Sequence, residues 1–498
     1  MVAANTAARS IGAPGRPWVD GPGLHRLVAE VQAALNAAGI GRGDRVGIVL
    51  PNGPEMATAF VAIAATCTAA PLNPAYKADE FEFYLSDLQP RALVLMDSDT
   101  GPAGAVAARL GVPVIALHAL DGPAGLFRLD TSALPASTAA LPGPAEAGDG
   151  ALVLHTSGTT ARPKIVPLTN GNLVASAGHI ADSLALTPDD VCLNVMPLFH
   201  IHGLIAAVLS SLQAGAAVSC TPGFNAFKFG EWLEAVQPTW YTAVPTMHQA
   251  ILMRLRSAPD RAKAAKLRLI RSSSASLPPQ VMAELEDVFG SPVIEAYGMT
   301  EAAHQMCANP LPPRARKPGA VGLAAGPEVA VMDAGGIILP QGAVGEVVIR
   351  GPNVTPGSDN NPAANASAFT DGWFRTGDQG RVDEDGYLFL TGRLKEQINR
   401  GGEKVSPLEV DTVLLDHPAI AQVVTFGIPH DKLGEEVGAI VVLHPGATAT
   451  EADVRDFAAQ RLAAYKVPRR VLLMDDIPKG ATGKVQRIGL AQKLGLGV

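Results

Sequence analysis

Between Leu24 and Ala38 apolar residues return every three to four positions, the period of a helix that buries one face. The next run, Arg45-Val46-Gly47-Ile48-Val49-Leu50, is short and almost wholly apolar, as in a strand covered on both sides. A helix is expected from Pro54, because proline is pre-set for a first helical turn, and a strand from Ala92 to Met96. Strands that alternate with helices imply a largely parallel sheet. Met56 to Leu72 is the most hydrophobic stretch, but threonines and Pro71 interrupt it and a bilayer span needs about 20 apolar residues, so it reads as a buried helix. Asp121 to Gly150, rich in Ala, Gly and Pro, reads as a connection without a packed element. From Glu328 to Arg350, short strands broken by Gly and Pro turns suggest a β-rich subdomain. From about Leu394 a last block has its own strands (Gln422 to Gly427, Val437 to Leu443) and an amphipathic helix (Glu451 to Ala463), at a length that folds as a unit. The expected fold is α/β. Residues 1–394 form a large N-terminal domain of parallel-sheet subdomains plus a β-rich subdomain, and residues 395–498 a small α+β C-terminal domain.

Composition narrows the function classes. A chain of 498 residues that is 47% hydrophobic has ample material for several cores, and a net charge of −8 leaves no broad basic face for nucleic acid. The densest basic run, Pro313-Arg314-Ala315-Arg316-Lys317-Pro318, reads as a solvated loop. Cys67, Cys192, Cys220 and Cys307 are far apart and form no C-x-x-C pair, which fits reduced thiols in a cytoplasmic protein. The first twenty residues carry Arg9 and Arg16 but no apolar core of a signal peptide, and read as a flexible start. No membrane span is expected.

The apolar run Ala151-Leu152-Val153-Leu154 leads into Thr156-Ser157-Gly158-Thr159-Thr160-Ala161-Arg162-Pro163-Lys164. Gly158 allows backbone amides to turn toward an anion, the hydroxyls of Thr156, Ser157, Thr159 and Thr160 can donate to phosphate oxygens, and Arg162 and Lys164 add positive charge. The pattern is not the Walker loop, and alone it would also suit a polar surface turn. Met196-Pro197-Leu198-Phe199-His200-Ile201-His202-Gly203 places two histidines on a turn between apolar runs. In Glu295-Ala296-Tyr297-Gly298-Met299-Thr300-Glu301, the last two residues sit where a strand becomes a loop, the edge at which open α/β sheets bind ligands. A carboxylate beside a threonine hydroxyl suits Mg²⁺, which takes few protein ligands and completes its shell with water and phosphate oxygens. Asp378, in a Gly-punctuated turn, is a natural acceptor for ribose hydroxyls, and Arg393 lies in a second such turn. Near the end, Pro478-Lys479-Gly480-Ala481-Thr482-Gly483-Lys484 departs from a kinase loop at Pro478 and Val485, leaving a lysine on a flexible glycine turn.

Thr156–Lys164, Tyr297–Glu301, Trp373–Asp378, Gly392–Arg393 and Gly480–Lys484, in this order, resemble the adenylate-forming superfamily of acyl-CoA synthetases, luciferases and peptide-synthetase adenylation domains over essentially the whole chain. Pro197–Leu204, Trp240–Thr246, Ile270–Leu277 and Tyr297–Met306, with Arg162, are similar to its oxalate–CoA ligase branch. The resemblance implies a two-step reaction with ATP, Mg²⁺ and coenzyme A: a carboxylate attacks the α-phosphate to give an acyl adenylate, and the thiol then displaces AMP. It implies that Thr156, Ser157, Gly158, Thr159, Thr160, Arg162 and Lys164 hold the β- and γ-phosphates, Thr300 meets the phosphates, and Glu301 holds the metal. Ser274, Ala275 and Ser276 with Glu295, Ala296 and Tyr297 would line the adenine, Asp378 would take the ribose, and Arg393 would support ribose or phosphate. Lys484 would bridge the reacting carboxylate and the α-phosphate. The small domain would be mobile, hinged at Lys395, with Arg400, Gly401 and Gly402 giving coenzyme A access. For a small dianion such as oxalate, the second carboxylate needs donors, because a buried unpaired charge is costly. His304, Ser274 and His200 are the candidates, with His202 behind them. A short-chain or aryl acid–CoA ligase, a module that loads a carrier protein and an inactive nucleotide binder remain alternatives. Ile165, where the family commonly has glycine, and Ser358, where it has an aromatic, depart from the pattern.

Overall fold

The computed structural model describes residues 7–156, 164–256, 259–357, 362–478 and 486–496. Two large, mainly parallel sheets share a layer of helices. One has the strand order Phe127–Asp130, Val114–Ala119, Ala92–Met96, Arg45–Val49, Thr68–Pro71, Gly150–Thr156, Lys164–Thr169. The other runs Leu323–Ala324, His304–Ala308, Val293–Met299, Leu269–Ser273, Trp240–Ala243, Val191–Asn194, Ala217–Cys220, Ile11–Ala13, Arg16–Val19. Between them lie Gly21–Ala37, Pro54–Ala64, Asn170–Ser183 and His202–Leu209, whose apolar residues join both sheets in one core. Helices Ala78–Leu88 and Pro102–Arg109 cover the outer face of the first sheet, and Phe229–Val236, Pro245–Leu255 and Pro279–Phe289 that of the second. Such layering buries both faces of parallel strands, which is why these strands read as continuous apolar runs.

Local chemistry sets the element ends. Asp20 caps the helix Gly21–Ala37 by accepting from Gly23 N at 2.6 Å. The helix Pro54–Ala64 is buried on nearly every side and accordingly lacks a polar stripe. The stretch Met56 to Leu72 is not a single helix. It ends at Ala64, Thr66 folds its hydroxyl back onto Ala62 O at 3.0 Å, and Thr68–Pro71 pairs with Arg45–Val49 in parallel. Asp121 to Gly150 also contains more than a connection: Phe127–Asp130 pairs antiparallel with Val114–Ala119, burying Phe127 and Leu129 and exposing Arg128. That alternation is the period-two signal of a strand, short enough to be hidden by its Gly- and Pro-rich surroundings. Nor is the basic run 313–318 simply solvated. Arg316 pairs with Glu286, and Lys317 Nζ reaches Asp383 and Asp385 at 2.6 Å each, fastening this loop to the β-rich subdomain.

That subdomain is an antiparallel sheet in which Glu328–Met332, Gly345–Arg350 and Trp373–Val382 run side by side and Leu388–Arg393 closes on the last of them. The next strand, Ile398–Arg400, belongs to a different sheet with Glu403–Val405, Gly434–Leu443, Ile420–His430 and Arg470–Leu473. Its apolar clusters draw only on residues from Ile398 onward. The helix expected to run to Ala463 ends at Ala459, after a start capped by Thr450. Gly401 and Gly402, at φ +61° and +94°, make the two-residue turn between Ile398–Arg400 and Glu403–Val405, where both positions need left-handed backbone. All four cysteines are buried and unbridged. Among the described residues no helix is long and apolar enough to cross a membrane.

Candidate active site

Ser273, Met299 and Ala243 end adjacent strands of the second large sheet, and the residues that follow them gather at its carboxyl edge. His202 is the hub. Its Nδ1 lies 3.0 Å from Ser274 Oγ and its Nε2 2.6 Å from Thr242 Oγ1, and its ring meets the His304 ring edge-on at 4.9 Å between centroids. It lies not on a turn but in the first turn of the π-helical segment His202–Leu209, closer to the centre than the position behind the other candidates expected for it. His200 instead packs beside Phe199, with ring centroids 4.7 Å apart. Ser274 (φ +73°) and His304 (φ +106°) both hold left-handed backbone, strain of the kind that concentrates at functional sites. Ala275 and Ser276 are exposed beyond Ser274.

A missed residue explains how His304 gets there. A Cβ on Gly298 would come within 1.6 Å of His304 O and 2.8 Å of its Nδ1, so only glycine lets the returning chain lie so close. Asn353, also missed, donates from Nδ2 to Ala302 O at 2.8 Å and Gln305 O at 3.0 Å, and Thr355 N donates to Glu301 O at 2.7 Å. These bonds fix the turn that carries Thr300 and Glu301. The signal for Asn353 was weak, a lone polar residue between turn formers.

Glu301 sits at this turn with its carboxyl pushed above the usual range by desolvation, against the pull of Arg393 and Lys164. Close by, the buried Asp378 accepts from Tyr297 OH and pairs through Oδ1 with Arg393 Nε at 2.8 Å. Burial, then the Asp378 charge, drives the Tyr297 phenol well up, so it stays a donor. Glu295, expected with Ala296 and Tyr297 at the adenine, turns inward instead: it is 3% exposed and its Oε1 accepts from Leu277 N at 2.9 Å, bracing the 274–277 loop from behind.

Burial raises the Glu295 pKa to about 8 from an ordinary 4.5. A carboxyl raised in the folded state contributes most below the unfolded value, and that contribution is lost as pH climbs through the folded one, at up to about 1.4 kcal/mol per pH unit. We therefore expect the wild type to lose stability relative to Glu295→Gln, which keeps the acceptor for Leu277, between pH 5 and 8.5. Denaturant midpoints measured across that window check this, and parallel curves would contradict it.

Thr156 and Lys164 pair across the ends of the antiparallel strands Gly150–Thr156 and Lys164–Thr169. Ser157, Gly158, Thr159, Thr160 and Arg162, between these two strands, lie outside the described residues. Ile165, opposite His155, packs on the apolar cluster over the first sheet's outer face, which accounts for its departure from glycine. Ser358 and Lys484 are also outside the described residues. Just past Lys484, Arg487 pairs with Asp411 at 2.5 Å and reaches Glu396 at 3.5 Å, next to the exposed Lys395. Arg400 is held by Glu436 at 2.5 Å.

Residues 18–358 match the AMP-binding enzyme family, and residues 409–484 match the AMP-binding enzyme C-terminal domain. The chain belongs to the AMP-binding enzyme family. Oxalate–CoA ligase of Arabidopsis thaliana is 48% identical to it over 94% of this chain and 92% of that protein, and oxalate–CoA ligase of Saccharomyces cerevisiae 42% identical over 91% and 87%. Among solved structures, ATP-bound MatB from Rhodopseudomonas palustris superimposes with a TM-score of 0.87 at 32% identity, covering 98% of this chain and 96% of that one. The large N-terminal and small C-terminal parts described above are therefore those of an ATP-using, AMP-forming acid–CoA ligase.

Proposed function

We propose that this AMP-binding enzyme converts oxalate, ATP and coenzyme A to oxalyl-CoA, AMP and pyrophosphate. The observation that carries the acid's identity is the convergence of the buried His202 and His304 and the half-buried Ser274 at the sheet edge. Such a cluster offers donors to a second carboxylate and gives a long alkyl chain no apolar wall. The oxalate–CoA ligases among the relatives support the same choice.

One oxygen of a substrate carboxylate attacks the α-phosphorus, the bond to the β-phosphate oxygen breaks and pyrophosphate leaves. Thr156 to Lys164 grips that leaving group, Thr300 contacts the phosphates, and Asp378 receives the ribose hydroxyls through acceptor sites its partners Tyr297 and Arg393 leave open. Ala275, Ser276 and Ala296 line the adenine with Tyr297. Glu301 fits Mg²⁺: it is a desolvated carboxyl whose charge is costly until a cation shares it, and no cage of three or more His, Cys, Asp or Glu exists among the described residues. The ion would neutralise charge on the triphosphate oxygens. Lys484 offsets charge that concentrates between carboxylate and α-phosphate, which is differential stabilisation of the transition state. The unit 395–498 then swings about Lys395 to remove Lys484, and the Gly401-Gly402 turn lets the pantetheine arm approach while Arg400 stays anchored to Glu436. The thiol of coenzyme A attacks the acyl carbon, and AMP departs with one oxygen of the original carboxylate. Four buried reduced thiols suit a cytoplasmic setting.

The test is AMP formation on an acid panel with and without coenzyme A. Oxalate is expected to give the highest kcat/KM, with AMP and oxalyl-CoA in equal amounts; preference for a neutral short-chain or aryl acid would sink the assignment. His304→Ala is expected to cost about 10- to 100-fold in kcat/KM for oxalate, the loss of a hydrogen bond to a charged group, with acetate little changed. An equal loss for both acids would count against a role in selectivity.

A further inference from the structure

Arg271 is a buried cation with no anion beside it. It is fully buried in the strand Leu269–Ser273, and among the described residues its Nη2 donates to the neutral Gln305 Oε1 at 3.2 Å. Nε and Nη1 are buried without hydrogen-bond partners. The Cys192 thiol, whose charge would favour the guanidinium, is itself held neutral by burial. Desolvation pulls the guanidinium down to about 9, still charged at neutral pH. An isolated buried charge is costly unless something compensates it, and among the described residues no anion does so here.

Its place in the sheet says what could. Arg271 lies opposite Thr242 on the neighbouring strand, the residue whose Oγ1 sits 2.6 Å from His202 Nε2. Gln305, its acceptor, directly follows His304. Arg271 is therefore one residue removed from both histidines of the substrate cluster, through Thr242 to His202 and through Gln305 to His304. Gln305 leaves no doubt about its own orientation: Nε2 donates to Ser183 Oγ at 2.9 Å and to His179 O and Ala325 O at 3.2 Å, so Oε1 is the atom turned to the guanidinium.

We propose that Arg271 is a specificity determinant, the permanent positive charge beneath the His202–Ser274–His304 pocket that balances the unreacted carboxylate of a small dicarboxylate. The inference rests on the reading of the site as one for oxalate. A monocarboxylate such as acetate becomes neutral at the acyl end once adenylated and gains nothing from this charge; a dianion keeps its second charge through both half-reactions. In a low-dielectric interior that difference works over a residue's distance, without direct contact.

Three variants test it. Arg271→Gln removes the charge and keeps polar volume, and Arg271→Lys keeps the charge without the fork. Gln305→Glu leaves the guanidinium in place and gives it a carboxylate of its own, so it cancels the charge without emptying the core. The reading is kcat/KM for oxalate divided by that for acetate, with KM for ATP measured alongside. Arg271→Gln and Gln305→Glu are expected to lower the ratio about 10²-fold with KM for ATP unchanged, through a higher KM for oxalate, and Arg271→Lys to recover part of it. Should Arg271→Gln fail to fold, Gln305→Glu and Arg271→Lys decide, each first shown by denaturant unfolding to keep a cooperative transition. An unchanged ratio in folded Gln305→Glu overturns the inference while leaving oxalate as substrate. Absence of oxalate turnover in the wild type overturns both.

Discussion

Lys484→Ala slows oxalate-dependent pyrophosphate release by about 10²- to 10³-fold, the usual cost of removing one preorganised charge from a transition state. The reasoning is electrostatic. Two anions, a carboxylate and a phosphate, must come within bonding distance, and the described part of the site offers Arg393, already paired with Asp378, and Lys164, on the phosphate loop. A third cation between the reacting groups is needed, and Lys484 is the residue proposed to supply it. Arg487, three residues on, is locked to Asp411 and leans on Glu396, beside Lys395, the proposed hinge. The second half-reaction has different needs. Thiol attack on a supplied oxalyl adenylate should therefore proceed at close to the wild-type rate in Lys484→Ala. Single-turnover measurements of each half-reaction separate the two, and equal loss in both would remove the lysine from its assigned place.

Gly298→Ala is the second large effect. A methyl group there would sit 1.6 Å from the carbonyl oxygen of His304, and the clash is with backbone, so no side chain can turn aside to relieve it. The antiparallel pairing of Val293–Met299 with His304–Ala308 must open at its irregular step between Tyr297 and Gly298. That displaces His304 from His202 and drags the turn bearing Thr300 and Glu301, which Asn353 and Thr355 hold from the other side. Overpacking of this kind costs about 1–3 kcal/mol in stability. Misplacement of positioning groups costs about 10²-fold in rate. Denaturant unfolding together with kcat/KM for oxalate checks both, and a variant with wild-type kinetics would show that the turn tolerates a wider spacing.

The motifs that carry the chemistry were legible because each is local. A glycine, hydroxyls and cations within nine residues, or a threonine and a glutamate at a strand end, announce themselves without tertiary knowledge. What joins them is not local. Tyr297 and Asp378 meet across 81 positions, and no spacing rule foretells that one hydroxyl caps the other's carboxylate. His202 looked like a turn residue because a glycine follows it, yet the apolar run Leu204 to Leu209 draws it into a helical segment buried in the central core. Glu295 was expected at the adenine from the family resemblance alone; its burial and its bond from Leu277 N turn it inward instead. Arg271 stands in the sequence as a cation after two apolar residues, but only the fold shows that no acid among the described residues comes to meet it.

The account's central claim is that oxalate is activated as an adenylate, and oxygen tracing tests it most directly. With oxalate labelled with oxygen-18 in its carboxylates, ATP and coenzyme A, AMP should carry one labelled oxygen per turnover, because the carboxylate oxygen that attacked phosphorus leaves with it. Unlabelled AMP, or ADP in its place, would contradict the account.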